Sequence, residues 1–267
     1  AQATYSMEAM MHDGKALQAG TSHFFGTNFS EAYGIQFLSK EGKLEYAQET
    51  SWGVSTRLIG AIIMTHGDER GLRLPPQVAP IQVVVLPIAA HKPGVLEGAK
   101  AIADRLSAIG VRVKFDDRDT VSPGWKFNEW EMKGVPVRLE VGPRDLENGQ
   151  VMVARRDTFE KFSLPMEGLE GAITDLLADI QKTLFEQARD FRNEHTVEVH
   201  NYDELKAAVE GGFAKGMWCG DAACEEKLKA DINATTRNMP FDQTPCGDTC
   251  CICGKHAAKL MYFAKAY

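Results

Sequence analysis

Ile81-Gln82-Val83-Val84-Val85-Leu86-Pro87-Ile88 is the stretch that decides the fold. Apart from Gln82 it is a continuous apolar run, which suits a strand buried on both faces beneath covering helices. The cover follows in sequence. Val95, Ala99, Ile102, Ala103, Leu106 and Ile109 recur at helical spacing and make one apolar face. Val111 to Phe115 predicts a second strand. Val135, Val137, Leu139 and Val141 alternate with Arg138 and Glu140, predicting a strand with one buried and one polar face. Gln150 to Ala154 is a fourth candidate strand. Ile173, Leu176, Leu177, Ile180 and Leu184 predict an amphipathic helix. Strand–helix–strand order with short connections makes residues 81–190 an α/β domain, a mixed sheet flanked by helices.

Working outward, Pro75-Pro76 and Pro80 predict a linker, because proline removes a donor and restricts its predecessor. Residues 1–80 form a separate domain on this reading. It opens on a mixed stretch and a Gly-rich loop, Ala19-Gly20-Thr21-Ser22-His23-Phe24-Phe25-Gly26. Gly34 to Leu38 and Lys43 to Gln48 predict paired strands around a Glu41-Gly42 turn. Leu58, Ile59, Ile62 and Ile63 predict a helix that stops at Gly67. Beyond the central domain, residues 191–267 form a smaller α+β unit with a short helix over Tyr202 to Val209. A core of that size is modest, so a metal would help hold it.

All six cysteines fall between Cys219 and Cys253. A secreted disulfide protein usually spreads its cysteines through the fold, so this clustering favours a metal site in a reducing compartment. Cys219 and Cys224 are separated by four residues, Cys250 and Cys253 by two. Each pair closes a small loop, and the two pairs complete a tetrahedral thiolate shell suited to structural Zn²⁺. Four protein ligands leave no open position for substrate. Cys246 and Cys251 are left over. Cys251 in place of Cys250, or a set of buried free thiols, are the other readings.

The net charge of −7 argues against a nucleic-acid binder when taken alone. Its distribution relaxes that. Residues 112–161 carry ten Lys/Arg and ten Asp/Glu, whereas residues 162–267 carry eleven and seventeen. No apolar stretch approaches the ~20 residues needed to span a bilayer. The first five residues do not form the start of a signal peptide, and a cytoplasmic location is expected. Ala1 stands where an initiator Met would, so a boundary made by processing or by cutting is expected there.

Gln48-Glu49-Thr50-Ser51-Trp52-Gly53-Val54-Ser55-Thr56-Arg57-Leu58-Ile59-Gly60-Ala61-Ile62-Ile63-Met64-Thr65-His66-Gly67-Asp68 resembles motif 3 of the prolyl-tRNA synthetases, and Gly71-Leu72-Arg73-Leu74-Pro75-Pro76 continues it. Leu17-Gln18-Ala19-Gly20-Thr21-Ser22-His23 resembles that family's proline-binding loop. Pro123-Gly124-Trp125-Lys126-Phe127-Asn128-Glu129-Trp130-Glu131-Met132-Lys133-Gly134-Val135-Pro136 resembles its anticodon-binding domain. The C-terminal cysteines and Tyr267 resemble the zinc domain of the archaeal/eukaryotic-type branch. The resemblance implies part of a class II antiparallel-sheet catalytic domain in residues 1–80, an anticodon-binding domain in 81–190 and a zinc domain in 191–267. It implies ATP-dependent activation of L-proline and transfer to tRNA(Pro), with Mg²⁺ accompanying ATP and a homodimer in the full-length protein. Motifs 1 and 2 of the class are not visible, so an incomplete active site, inactive by itself, is expected. An upstream editing domain is left open.

The resemblance places proline against Thr21, His23, Trp52 and Ser55, and ATP against Gln18, Gln48, Thr50 and Arg57. Arg57 suits phosphate because its fork stays charged and binds bidentately; the other reading is a solvated arginine at a helix end. Ser55 is equally a helix N-cap candidate, and Trp52 a core candidate. Gln18 offers a donor and an acceptor for adenine or ribose. No residue is assigned as a general acid or base. His66 and Asp68 are expected to stabilise a turn.

The proline anticodon ends in two guanines. A carboxylate accepts from guanine N1–H and N2–H₂, and an arginine donates to O6 and N7. The resemblance implies Glu131, Arg138 and Arg144 as readers; solvated charges are the alternative. Trp125, Phe127 and Trp130 suit base stacking or core packing. Two other functions compete: a non-catalytic tRNA-binding paralogue, and a zinc-stabilised interaction module, which leaves the 48–76 match unexplained.

Overall fold

In the computed structural model, which describes residues 1–267, the chain begins with a long antiparallel hairpin, β1 (Ala3–Met10) and β2 (Ala16–Gly26). Gly14 makes its turn with φ +75, and a Cβ there would meet the backbone of Gly211 at 2.5 Å. The segment expected as a Gly-rich loop is therefore a strand. Gly20 marks a close approach and not a turn, since a Cβ there would lie 2.6 Å from Met7 Cε. A short helix α1 (Asn28–Tyr33) leads to the two-stranded β3 (Gln36–Leu38) and β4 (Leu44–Tyr46). β5 (Glu49–Gly53) pairs antiparallel with β2, giving a sheet ordered β1-β2-β5. α2 (Arg57–His66) follows. None of its predicted apolar face, Leu58, Ile59, Ile62 and Ile63, is buried: Ile59 is 62% exposed, and the buried residue of the helix is Ala61.

Residues 66–190 form one compact unit. It contains β6 (Val83–Pro87), α3 (Val95–Ala108), β7 (Val113–Phe115), α4 (Pro123–Met132), β8 (Val137–Val141), α5 (Pro143–Glu147), β9 (Gln150–Arg155) and β10 (Lys161–Pro165), and α6 (Leu169–Glu194) starts in it. The sheet order is β10-β9-β8-β6-β7. β6 runs parallel to β7 and β8, while β8, β9 and β10 are successively antiparallel. The mixed α/β architecture expected for this region is present. Val83, Val85, Leu139 and Val153 pack with Ile102, Leu106, Ile173 and Ile180 of α3 and α6 on one face.

The other face of the sheet departs from expectation. Arg138 and Glu140 share a side of β8, but that side is covered: Val84 and Leu86 pack there with Trp130, Val135 and Phe127. Glu140 is buried and accepts from Arg138 Nε at 3.1 Å and Lys161 Nζ at 2.7 Å. The cover is α4. Ser122 Oγ caps Trp125 N at 3.3 Å and proline fits the first helical position. The expected proline linker is also fixed in this unit. Arg112 donates to the carbonyls of Ala79 at 2.8 Å and Pro76 at 2.7 Å, and Leu72 N donates to Met132 O at 2.9 Å.

The chain ends with β11 (Thr196–Val199), α7 (Tyr202–Ala208), β12 (Phe213–Trp218), α8 (Ala222–Ile232), β13 (Ala234–Thr236) and β14 (Lys259–Lys265). Their sheet is ordered β11-β12-β14-β13. This segment does not stand apart from the N-terminal hairpin: residues 1–65 and 191–267 form one unit. Met10 and Ala16 share a core with Phe213 and Ala264, and buried Glu8 accepts from Arg237 Nη2 at 2.6 Å. No helix is long and apolar enough to cross a membrane.

Candidate functional site

Three constellations carry chemistry. The first is an open cavity of about 360 Å³ on the β1-β2-β5 sheet, lined by Gln18, Thr21, His23, Trp52, Ser55 and Arg57, with Gly20 in its wall. β2, through Gln18 to Thr21 and His23, and β5, through Ser51 to Gly53, supply its floor, and the start of α2 supplies its rim. Ser55 Oγ accepts from Arg57 N at 3.3 Å and Ser55 O accepts from Leu58 N at 3.1 Å, so Ser55 also opens the helix. Arg57 Nη1 donates to Gln18 O at 3.2 Å, leaving the rest of an exposed guanidinium fork for an anion. His23 Nδ1 lies 3.0 Å from Thr4 Oγ1 and its Nε2 3.1 Å from Thr21 Oγ1. Both ring nitrogens are thus engaged, which fixes the ring as a wall. Trp52 is 78% exposed, so it is not a core residue. Gln48 and Thr50 do not line this cavity: Gln48 precedes β5, and Thr50 pairs with Phe24.

The second is a cavity of about 120 Å³ within residues 66–190, lined by Arg70, Trp130, Glu131, Arg138, Arg156 and Phe159, among others. Glu131 Oε1 accepts from Arg70 Nη1 at 3.1 Å, and its Oε2 is 3.9 Å from Arg138 Nη1. The Arg138 guanidinium lies 4.3 Å from the Phe127 ring centre, a cation–π distance. Arg156 is buried and donates to both carboxylate oxygens of Asp68, at 2.7 and 2.6 Å. That fork holds Asp68 below the ordinary carboxylate range. Asp68 also closes the expected turn, exchanging backbone hydrogen bonds with Gly71 at 3.0 Å. Arg144 lies on α5 and is not in the lining. Trp130 is buried, whereas Trp125 is exposed with the Arg118 guanidinium 5.3 Å from its ring centre.

Arg70, Arg155, Arg156, Phe159 and Lys161 escaped sequence reasoning. Arg155-Arg156 and Lys161 flank one hairpin turn, with Asp157 and Glu160 between them, so charge counting gave no signal there. Arg70 had no signal either, being 61 residues from Glu131. Nearby, Asp116 is almost wholly buried. Burial alone would raise its pKa, but donation from Arg118 and from Trp130 Nε1 at 2.8 Å holds it well below the ordinary range.

The third is the four-cysteine cluster. Cys219 follows β12, Cys224 sits in the first turn of α8, and Cys250 and Cys253 lie on a tight turn closed by Gly254 N donating to Cys250 O at 2.8 Å. The four Sγ atoms lie within 4.8 Å of one another. Cys219 Sγ is 3.6 Å from that of Cys224 and 3.8 Å from that of Cys253. A tetrahedron with Zn–S of about 2.3 Å has sulfurs about 3.8 Å apart, so the donor set fits Zn²⁺. Burial raises the Cys224 thiol, whereas the Lys255 N–H lowers Cys253. Cys246 and Cys251 stay outside the tetrad; burial pushes Cys251 up to about 12.

A family model described as an anticodon binding domain matches residues 82–176, and one described as the C-terminal part of prolyl-tRNA synthetase matches residues 202–267. Proline--tRNA ligase 2 of Clostridioides difficile (strain 630) is 57% identical over 266 residues, covering 99% of this chain and 55% of that protein. Proline--tRNA ligases of Clostridium novyi (strain NT) and Alkaliphilus oremlandii (strain OhILAs) are each 55% identical over 269 residues, covering all of this chain and 56% of theirs. The chain spans about half the length of the curated relatives it matches.

Proposed function

We infer that this chain, a prolyl-tRNA synthetase C-terminal region, serves an enzyme that activates L-proline with ATP and transfers it to tRNA(Pro). One observation carries the reading. Gln18, Thr21, His23, Trp52, Ser55 and Arg57, implied by family resemblance as proline and ATP contacts, come from two strands and a helix start and line one cavity. Residues 1–80 act as the motif 3 part of a class II catalytic domain, residues 81–190 as the anticodon-binding domain and residues 191–267 as the zinc domain.

In this reading Thr21, His23, Trp52 and Ser55 hold proline. Gln18 and Arg57 bind ATP, Arg57 by countering phosphate charge as it develops, with Mg²⁺ accompanying the nucleotide. Gln48 and Thr50 are retained as ATP contacts at the edge of the site. No side chain is assigned a proton-transfer role; the work is positioning two anions and a small amino acid. Glu131 and Arg138 read the anticodon guanines. Arg144, outside the cavity, is assigned to the flanking RNA. Cys219, Cys224, Cys250 and Cys253 hold a structural Zn²⁺, which supplies cross-linking and no chemistry. The full-length protein is a cytoplasmic homodimer.

The test separates the two sites. In a protein of the relatives' full length, Arg57→Ala should slow proline-dependent ATP–pyrophosphate exchange about 10²–10³-fold. Arg138→Ala should leave exchange unchanged. It should reduce discrimination between tRNA(Pro) and a variant with both anticodon guanines replaced by ~1–3 kcal/mol. Exchange driven by another amino acid, or indifferent to Arg57, overturns the catalytic assignment. Equal weakening toward both RNAs makes Arg138 a backbone contact, because phosphate contacts are blind to sequence.

A further inference from the structure

We propose that Phe159 is the stacking platform for a guanine base in the Glu131 cavity, and that Arg70 occupies the base's place when RNA is absent. The proposal rests on the anticodon reading above and adds two residues to it.

Phe159 stands in the hairpin between β9 and β10 with φ +62. A bulky residue in the left-handed region is a backbone outlier, where glycine or asparagine would sit with less strain. Such strain collects at binding sites because the surrounding structure holds it. Here it holds an aromatic ring, 45% exposed, in the lining of a cavity shared with Glu131 and Arg138. One neighbour of the ring is rigid: the Arg156 guanidinium, 5.1 Å from its centre, is buried and fixed by two hydrogen bonds to Asp68.

The other neighbour is displaceable. The Arg70 guanidinium lies 4.4 Å from the ring centre while its Nη1 donates to Glu131 Oε1 at 3.1 Å. Its side chain is mostly in solvent although Glu131 is largely buried, and an arginine ordered from the solvent side gives up rotamer freedom to hold the pair. A planar donor group thus sits near an aromatic face with its N–H groups toward a carboxylate. The Watson–Crick edge of guanine, N1–H, C2 and N2–H₂, is itself a guanidine fragment with the same planarity and the same donors. Single-stranded RNA is read by stacking on aromatic rings combined with hydrogen bonds to base edges. Guanine therefore replaces Arg70 contact for contact: its face on Phe159 and its N1–C2–N2 edge on Glu131. The cavity of about 120 Å³ holds far more than the ~10–15 Å³ needed for one water. Adenine has no donor at N1 and no exocyclic amine at C2, so it cannot reproduce the carboxylate contact.

The experiment uses the 267-residue chain and a fluorescent anticodon stem–loop of tRNA(Pro), beside the same stem–loop with both guanines changed to adenines, at fixed salt. Phe159→Ala and Phe159→Leu should each weaken binding of the guanine loop about 5- to 150-fold, since leucine keeps bulk but not the π face. Phe159→Trp should retain it. Phe159→Gly should weaken binding without lowering Tm, a pair of changes that a merely structural role does not give. Arg70→Ala should bind the guanine loop as well as the parent or better. If Phe159→Leu binds like the parent while the guanine preference persists, this inference fails and the anticodon reading stands. If Arg70→Ala weakens both loops equally, Arg70 is a phosphate contact and its role here is wrong. If the parent chain shows no guanine preference, the anticodon reading fails and this inference with it.

Discussion

The two largest cores of the molecule close in different ways. The core over β6 and β8 consists of aliphatic side chains from strands and helices, and every wall is apolar packing. The core over β12 and β14 has Cys224, Cys250 and Cys251 among its buried members, with Cys219 and Cys246 against it. The first core carries its own stability in buried area. The second is walled partly by thiols converging on a point, and thiolates there would repel one another without a cation between them. The strong periodicity of residues 83–184 and the weak periodicity of residues 219–255 foretell that contrast. A segment whose ends are fixed by a metal needs little regular structure.

The largest effect should come from breaking the cysteine-walled side, where we propose the Zn²⁺. Removing zinc, or changing Cys219 and Cys224 together to Ser, should unfold residues around 213–265, since structural zinc contributes about 10–16 kcal/mol to folding in small peptide domains. Residues 83–153 should keep their hydrogen-exchange protection. Elemental analysis showing no zinc in the parent protein, or full zinc retention in the double variant, would sink the assignment.

The unit that holds the aliphatic core is tested next, on its α4 side. Asp116→Asn should destabilise residues 66–190 by about 3–5 kcal/mol, because Lys126 is buried 3.7 Å from the carboxylate and would lose its counter-charge. The pH dependence has a definite sign. The folded pKa is depressed, so the ionised group's contribution is fully present above its unfolded pKa of about 4 and is lost as pH falls below it. The variant should therefore show a flatter acid limb in denaturant titrations of that region. An unchanged acid limb would mean other groups control it.

The smallest effect should fall where apolar residues are mostly exposed. Ile59→Ser in α2 should shift stability by no more than about 0.5 kcal/mol, because its side chain is largely in solvent already. A loss of several kcal/mol in a melt of this chain would show that the face is covered in solution.

Much of the central region was legible from short-range patterns. The apolar run at 81–88, the helix faces at 95–109 and 173–184, and the alternation at 137–141 all correspond to observed elements, because each pattern reports a local period. The cysteine spacings singled out the four sulfurs that converge, since a short loop between two ligands limits where they can point. The β2 strand was misread as a loop because glycine signals both turns and close approach, and only the neighbour Met7 distinguishes them. The polar face of β8 was expected in solvent, and α4 covers it.

Sequence alone determined which residues are apolar, where the periods change, and which side chains have the chemistry to hold a metal or face a phosphate. Tertiary structure decided who meets whom: Arg70 with Glu131 across 61 residues, Asp68 with Arg156 across 88, and Glu8 with Arg237 across 229. The physical reason is range. Periodicity is set by backbone geometry within one or two turns of chain. A side chain's partner, and so whether its charge is open to a ligand or already engaged, depends on elements that only folding brings together.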